Sequence, residues 1–299
     1  MPELPEVTAL VADLGARLGV DRGADPSAGS GGRVVDRVDV VSFAALKTFD
    51  PPVSALSGET VQGVTRHGKF LDFEIGSLHL LLHLARAGWV RWRDGPPPPP
   101  SGRPGKGPLA ARLVLDDGSG FDITEAGTKK SLALYVVRDP AEVPGVARLG
   151  PDPLDPEFTE EVFAGILAAA GRAQIKGVLR SQSLIAGIGN AYSDEILHAA
   201  RMSPFKPAAM TPAEVSVLYA ALNDTLRGAI ARAEGLAASE LKAEKKSGLQ
   251  VHGRTGQVCP VCGDTVRQVT YADSSLQYCP TCQTGGKPLA DRVLSRLLK

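Results

Sequence analysis

CPVCGDTVRQVTYADSSLQYCPTC, residues 259–282, contains all four cysteines of the chain. A Cys-x-x-Cys pair offers two thiolates to one ion, and a second pair after sixteen intervening residues completes a closed tetrahedral set. The spacing predicts one structural Zn2+ held by Cys259, Cys262, Cys279 and Cys282, with no coordination position left open for chemistry. A disulfide scaffold would spread its cysteines across the fold, and the competing redox reading would not need two pairs at this distance. Tyr271, Leu276 and Tyr278 between the pairs suggest a β-hairpin. Residues 253–299 therefore read as a small unit that folds around metal because it is too short for its own core.

Upstream of this unit, residues 149–252 read as a helical domain that is Ala-rich and opens after LGPDPLDPEF (149–158). Before it, from Val34 to Val137, the runs RVVDRVDVVSF, KFLDFEI, WVRW, ARLVLDD and SLALYVV are strand-like. Gly, Asp and Pro punctuate them, as in an antiparallel sandwich or barrel. The longest apolar run, SLHLLLHLARAGWV (77–90), which contains the strand-like run LHLLLHL, reads as a buried strand. GADPSAGSGG (23–32) and PPPPPSGRPGKGP (96–108) are loops, the latter unable to sit inside a sheet. Leu4, Val7, Leu10, Val11, Leu14 and Leu18 recur every three or four residues and predict an amphipathic helix over 3–18. The fold expected is α+β and multidomain. Residues 1–148 form an N-terminal helix with an antiparallel β-sandwich, 149–252 the helical domain, and 253–299 the finger with a basic extension.

Composition restricts the class. With 43% hydrophobic and 22% charged residues in 299, the chain is that of a globular protein with no membrane-length apolar run and no secretory leader, expected in the cytoplasm. Net charge is zero, yet from Lys176 onward 15 Lys/Arg face 10 Asp/Glu, against 18 and 23 before it. A basic C-terminal half suits a phosphate-binding surface.

Three shorter stretches carry chemistry. AGIGNAYSDEILHAAR (186–201) describes a tight turn feeding a helix N-terminus, with Asn190 at or near the cap, a suitable phosphate site or simply a helical joint. In VTRHGKF, Lys69 heads an apolar strand, so its amine is expected at a sheet edge in solvent. In MPELPEV, removal of Met1 would leave Pro2 with a free secondary amine, able to attack an anomeric carbon and form an iminium. Glu3 beside it can act as general acid or base, while Glu3 and Glu6 also suit the first turn of a helix.

Taken in order, MPELPEV, RHGKF, LGPDPL, AGIGNAYSDEIL and CPVC…CPTCQ resemble the bacterial formamidopyrimidine-DNA glycosylase and endonuclease VIII family over nearly the whole chain. The resemblance implies a helix–two-turn–helix at AGIGN and a bifunctional base-excision repair enzyme that acts on double-stranded DNA. Such an enzyme would be a nucleoid-associated monomer, cutting at damaged bases or abasic sites by β,δ-elimination. It implies Pro2 as nucleophile, Glu3 as proton carrier, Glu6 as its support, and Lys69 and Asn190 as grips on phosphates flanking the lesion. Flipping of the nucleotide is required, since the anomeric carbon is not reachable inside the stack.

Departures from the family pattern matter too. Ser274 stands where the finger hairpin carries an arginine, Arg86 in HLARAG (83–88) where a methionine fills the emptied stack, and Ser181 where an Asp is usual. TEAGTKKS (124–131) replaces a segment with a void-filling arginine and a wedge phenylalanine. His83, Arg86, Lys129 and Lys130 are read as the substitute DNA contacts. Abasic-site lyase activity is thus a firmer expectation than excision of oxidised purines. The alternative is a nucleic-acid binder that has lost base excision, for which a free N-terminal proline has no use.

Overall fold

The computed structural model describes residues 1–20, 32–98, 107–272 and 274–290. Most of the two long loops and residues 291–299 of the extension lie outside them. The described chain divides into two compact units, residues 1–148 with 233–242, and residues 149–232 with 243–299.

In the first unit, helix α1 (Leu4–Leu18) follows the predicted apolar period, starting after Glu3 and ending at Gly19, whose left-handed φ of 72° stops the helix. Eight strands follow, β1 (Val35–Val40), β2 (Val61–His67), β3 (Phe70–Ile75), β4 (Leu78–His83), β5 (Gly88–Arg93), β6 (Leu109–Leu115), β7 (Gly120–Glu125) and β8 (Ala133–Val137). They form two antiparallel four-stranded sheets, β1-β6-β7-β5 and β2-β3-β4-β8. Alternation along β3 sends Leu71, Phe73 and Ile75 into the core with Leu10, Leu14, Phe121 and Ile123 from the helix and the facing sheet. The opposite face of β3 and β4 carries Phe70 and Leu81, covered by Val143 and by the short helix α2 (Pro144–Ala147) through Val146.

The expected single strand over 77–90 is two strands in different sheets. The chain changes sheet through Leu84–Ala87, where Ala85 takes a φ of 50° and Gly88 N–H closes the turn on Leu84 O at 2.8 Å. A Cβ on Gly88 would come within 2.1 Å of that oxygen, so the turn requires glycine there. Hydropathy alone does not reveal this break, because Leu84, Ala85 and Ala87 of the turn are as apolar as the strands.

The second unit contains α3 (Glu160–Ala170), α4 (Ile175–Arg180), α5 (Asn190–Ala199), α6 (Pro212–Ala233) and α7 (Leu241–Gly248), followed by the hairpin β9 (Arg267–Thr270) and β10 (Ser275–Tyr278) and the short α8 (Pro280–Thr284). The end of α6 and the start of α7 group with the first unit. There Ala238 donates to Asp13 Oδ2 at 3.2 Å and accepts from Trp89 Nε1 at 2.9 Å. Residues 149–232 and 243–252 share one unit with the finger, and α5 hydrogen-bonds to both the 250–252 segment and β10, as described below.

Candidate functional site

One end of the sandwich collects the cations singled out in the sequence. β2 ends and β3 begins there around the two-residue turn Gly68–Lys69, β4 ends at His83, and the register aligns His67, Phe70, His83 and Ala133 across the sheet. β5 begins and β7 ends at the same end, with Gly88 paired to Glu125. The turn carrying Arg86 and the loop carrying Lys129 and Lys130 are adjacent, since Ala126 N–H donates to Ala87 O at 3.2 Å. Arg86, Lys129 and Lys130 are exposed.

Lys69 is not the solvated lysine expected, for only 8% of it is accessible. It lies in a tight two-residue turn in which Gly68 takes a φ of 55°. Its charge reaches His83, whose pKa falls to about 4, first through burial and then through Lys69. His83 is therefore a neutral ring at physiological pH, its centre 4.7 Å from that of Phe70 with the two planes tilted by 43°, and contributes hydrogen-bonding capacity but no cation. Glu125, which sequence reasoning missed, fixes the Lys129–Lys130 loop. It is 2% exposed, and its Oε1 accepts the N–H of Ser131 at 2.8 Å and of Leu132 at 3.1 Å. Lys130 Nζ in turn donates to Glu125 O.

The start of α1 points toward this same end. Arg17 lies 5.4 Å from the Trp92 ring centre, whereas Asp13 meets Ala238, which holds Trp89. Stepping toward the N-terminus of α1 thus steps toward the start of β5. At the other end of the helix, Leu18 O accepts from Arg33, whose own carbonyl accepts from Val61 at the start of β2. Both tethers orient α1 with Pro2 and Glu3 toward the Lys69 end. Pro2 is buried, Glu3 is 2% exposed, and Met1 is 46% exposed. Glu6 Oε2 accepts the Glu3 N–H at 2.8 Å, the return arm of a capping box that locks the residue after Pro2.

In the second unit, Gly189, in extended conformation, is the N-cap of α5 and Asn190 its first residue, next to the cap as expected. Asn190 Nδ2 donates to Ser275 O at 2.7 Å on the hairpin, while its buried Oδ1 has no hydrogen-bond partner. Beneath it lies a polar cluster that the sequence reading passed over. Lys176 Nζ donates to Asn190 O at 3.2 Å, Ser193 Oγ at 2.7 Å and Asp194 Oδ1 at 2.6 Å. Asp194 Oδ2 accepts from Gln277 N–H at 3.1 Å and pairs with His252 Nδ1 at 2.7 Å. Glu195 takes three consecutive N–H groups, of Gln250, Val251 and His252, at 2.7 to 3.0 Å. Burial still raises the Glu195 pKa, those N–H groups opposing it. The available signal was an acidic pair, Asp194 and Glu195, within the otherwise uncharged run AGIGNAYSDEILHAA.

The four cysteines converge as predicted, all sulfurs lying within 4.8 Å of one another. Cys259–Cys282 and Cys262–Cys279 separations are 3.9 and 3.3 Å, near the roughly 3.8 Å edge of a tetrahedron with metal–sulfur bonds of about 2.3 Å. Burial pushes the Cys279 thiol up to about 11 and Cys282 higher still, so these sulfurs lose their protons when a cation displaces them. The residues fit one Zn2+. Ser274 O accepts the Tyr271 N–H at 2.8 Å and closes the hairpin tip.

The described chain thus combines an N-terminal helix on a β-sandwich, a helical unit built around a buried lysine, and a four-cysteine hairpin. Sequence models agree: a formamidopyrimidine-DNA glycosylase N-terminal domain matches residues 1–127, the H2TH domain of the same glycosylase 149–240, and a zinc finger found in FPG and IleRS 256–285. A formamidopyrimidine-DNA glycosylase of Symbiobacterium thermophilum is 35% identical over 95% of this chain and 89% of its own. A formamidopyrimidine-DNA glycosylase-like protein of Mycobacterium tuberculosis is 55% identical over 53% of this chain and 99% of its own. MutM of Thermus thermophilus superposes with a TM-score of 0.76 at 31% identity, covering 96% of this chain and all of its own. A MutM bound to DNA containing carbocyclic 8-oxo-G gives 0.78 at 26%, covering 95% and 100%. The chain belongs to the formamidopyrimidine-DNA glycosylase family, whose members are enzymes of DNA base-excision repair. Among the described residues, no helix is long and apolar enough to cross a membrane.

Proposed function

We propose that the chain is a bifunctional DNA glycosylase and abasic-site lyase. The observation that carries this reading is the orientation of α1, which directs buried Pro2 and Glu3 to the end of the sandwich where Lys69, Arg86, Lys129 and Lys130 gather. After Met1 is removed, the Pro2 nitrogen lone pair attacks C1′ of a flipped nucleotide, and the bond to the base breaks with its electron pair. Glu3 donates a proton to the sugar ring oxygen as the ring opens to the iminium. The iminium acidifies C2′–H, and transfer of that proton to a carboxylate lets the C3′–O bond break, leaving phosphate on the 3′ fragment. A second elimination breaks C5′–O. Glu6 holds Glu3 through its backbone N–H. Lys69 is the proposed grip on a flanking phosphate, and Asn190 another, its Nδ2 retaining a second N–H beyond the one given to Ser275.

Arg86, Lys129 and Lys130 are proposed as contacts for the emptied stack, where a guanidinium can both stack and donate. His83 joins them as a neutral partner. The protein partner in this reading is duplex DNA with damaged bases or abasic sites, engaged by a monomer. Borohydride reduction during incubation with an abasic-site duplex tests the reading. A protein–DNA adduct of one chain per strand is expected. DNA binding with no adduct would leave a binder without lyase chemistry.

A further inference from the structure

The four sulfurs of the finger do not share the same surroundings. Cys262 Sγ receives the backbone N–H of Asp264, and Cys279 Sγ that of Cys282. Cys259 faces a side chain instead, with His198 Nε2 at 3.3 Å from its sulfur although 61 residues separate the two. His198 is 5% exposed and lies in the last turn of α5.

His198 completes a stripe on that helix. Asn190, Asp194 and His198 are spaced four apart, so they lie one above another on a single face, with Glu195 beside them. Asn190 and Asp194 hold β10 through Ser275 O and Gln277 N–H, Glu195 holds the 250–252 segment, and His198 reaches the first cysteine pair. A thiolate bound to zinc has lone pairs and no proton, so the ring nitrogen facing it must be the one that carries hydrogen. Four thiolates also bring more negative charge than one Zn2+ neutralises, and N–H donors offset the excess.

We propose that His198 is a positioning residue of the metal centre, donating its Nε2–H to the Cys259 thiolate and thereby holding that sulfur to the zinc and slowing the ion's loss. The helix that begins at Asn190 is then fastened to the metal at its far end. This inference rests on zinc occupancy and not on the proposed DNA chemistry, so the two can fail separately.

The test is zinc transfer from the full-length, zinc-loaded protein to a chromophoric chelator, followed by absorbance. His198→Phe keeps a ring and loses the donor, and release is expected about 10- to 100-fold faster than in the unsubstituted protein. His198→Gln, whose amide nitrogen reaches a similar place, is expected to restore release to within a few-fold. Equal rates for the unsubstituted protein and His198→Phe would overturn the proposal. Equal rates for Phe and Gln would also overturn it, by assigning the effect to packing. Should His198→Phe fail to fold, 15N NMR of the unsubstituted zinc-loaded protein decides the matter. An Nε2-protonated ring is expected, and a ring protonated only at Nδ1 contradicts the proposal.

Discussion

The finger and the Lys69 end of the sandwich assemble their functional groups in opposite ways. In the finger, four cysteines from a 24-residue stretch converge on one point, with sulfurs within 4.8 Å, and the ion that they would hold is the reason the stretch folds. At the sandwich end, Pro2, Lys69, Arg86 and Lys130 come from a helix start and three separate turns, and an ordinary hydrophobic core brings them together. The finger's geometry depends on its ligands, whereas the geometry of the sandwich end depends on the hydrophobic core beneath it.

That difference sets the scale of what a substitution does. The largest effect is expected in the finger. Cys279→Ser removes one of four ligands, and since structural zinc contributes roughly 10–16 kcal/mol in isolated finger peptides, zinc content should fall to near zero and hydrogen-exchange protection of β9 and β10 should vanish. The sandwich strands should keep their protection, and loss there as well would break the contrast. Next comes Lys69→Met, expected to weaken binding to an abasic-site duplex by about 1.5–3 kcal/mol. It should also lower the slope of log affinity against log salt by about 0.9. An unchanged slope would remove Lys69 from the phosphate contacts while leaving the fold untouched.

Glu6→Ala deletes the acceptor of the Glu3 N–H and should cost about 0.5–2 kcal/mol of stability, read by denaturant unfolding. Lyase activity should fall by more than that loss of folded protein explains, because Glu3 is then less firmly held. The smallest effect is in pH dependence. His83 has a folded-state pKa of about 4 against an ordinary value near 6.5. The unfolded chain therefore binds the proton first, and stability falls as pH drops from about 6.5 to about 4, levelling below that. His83→Gln should flatten this part of the stability profile and leave the neutral-pH side unchanged.

Legibility in the sequence followed the same divide. The metal site was readable in full because its spacing is its geometry, and α1 was readable because its leucines keep a helical period. Lys69 reads as a solvated residue but is buried, because a residue pattern does not report what covers a turn at the end of a strand. The run 77–90 hid a change of sheet, since Leu84 and Ala85 at the turn are as apolar as the strands around them. The buried roles of Lys176, Asp194 and Glu195 do not show in the sequence, because their partners lie 14 to 83 residues away. Glu125 likewise shows its purpose only once Ser131 and Leu132 fold back onto it.

The central claim is that the Pro2 nitrogen becomes the nucleophile once Met1 is gone. Its most direct test is peptide mapping by mass spectrometry of the borohydride-reduced adduct formed on an abasic-site duplex. The account predicts the sugar remnant on the N-terminal peptide, attached to the Pro2 nitrogen, in protein that has lost Met1. A remnant on a lysine such as Lys69, or on protein that keeps Met1, would contradict it.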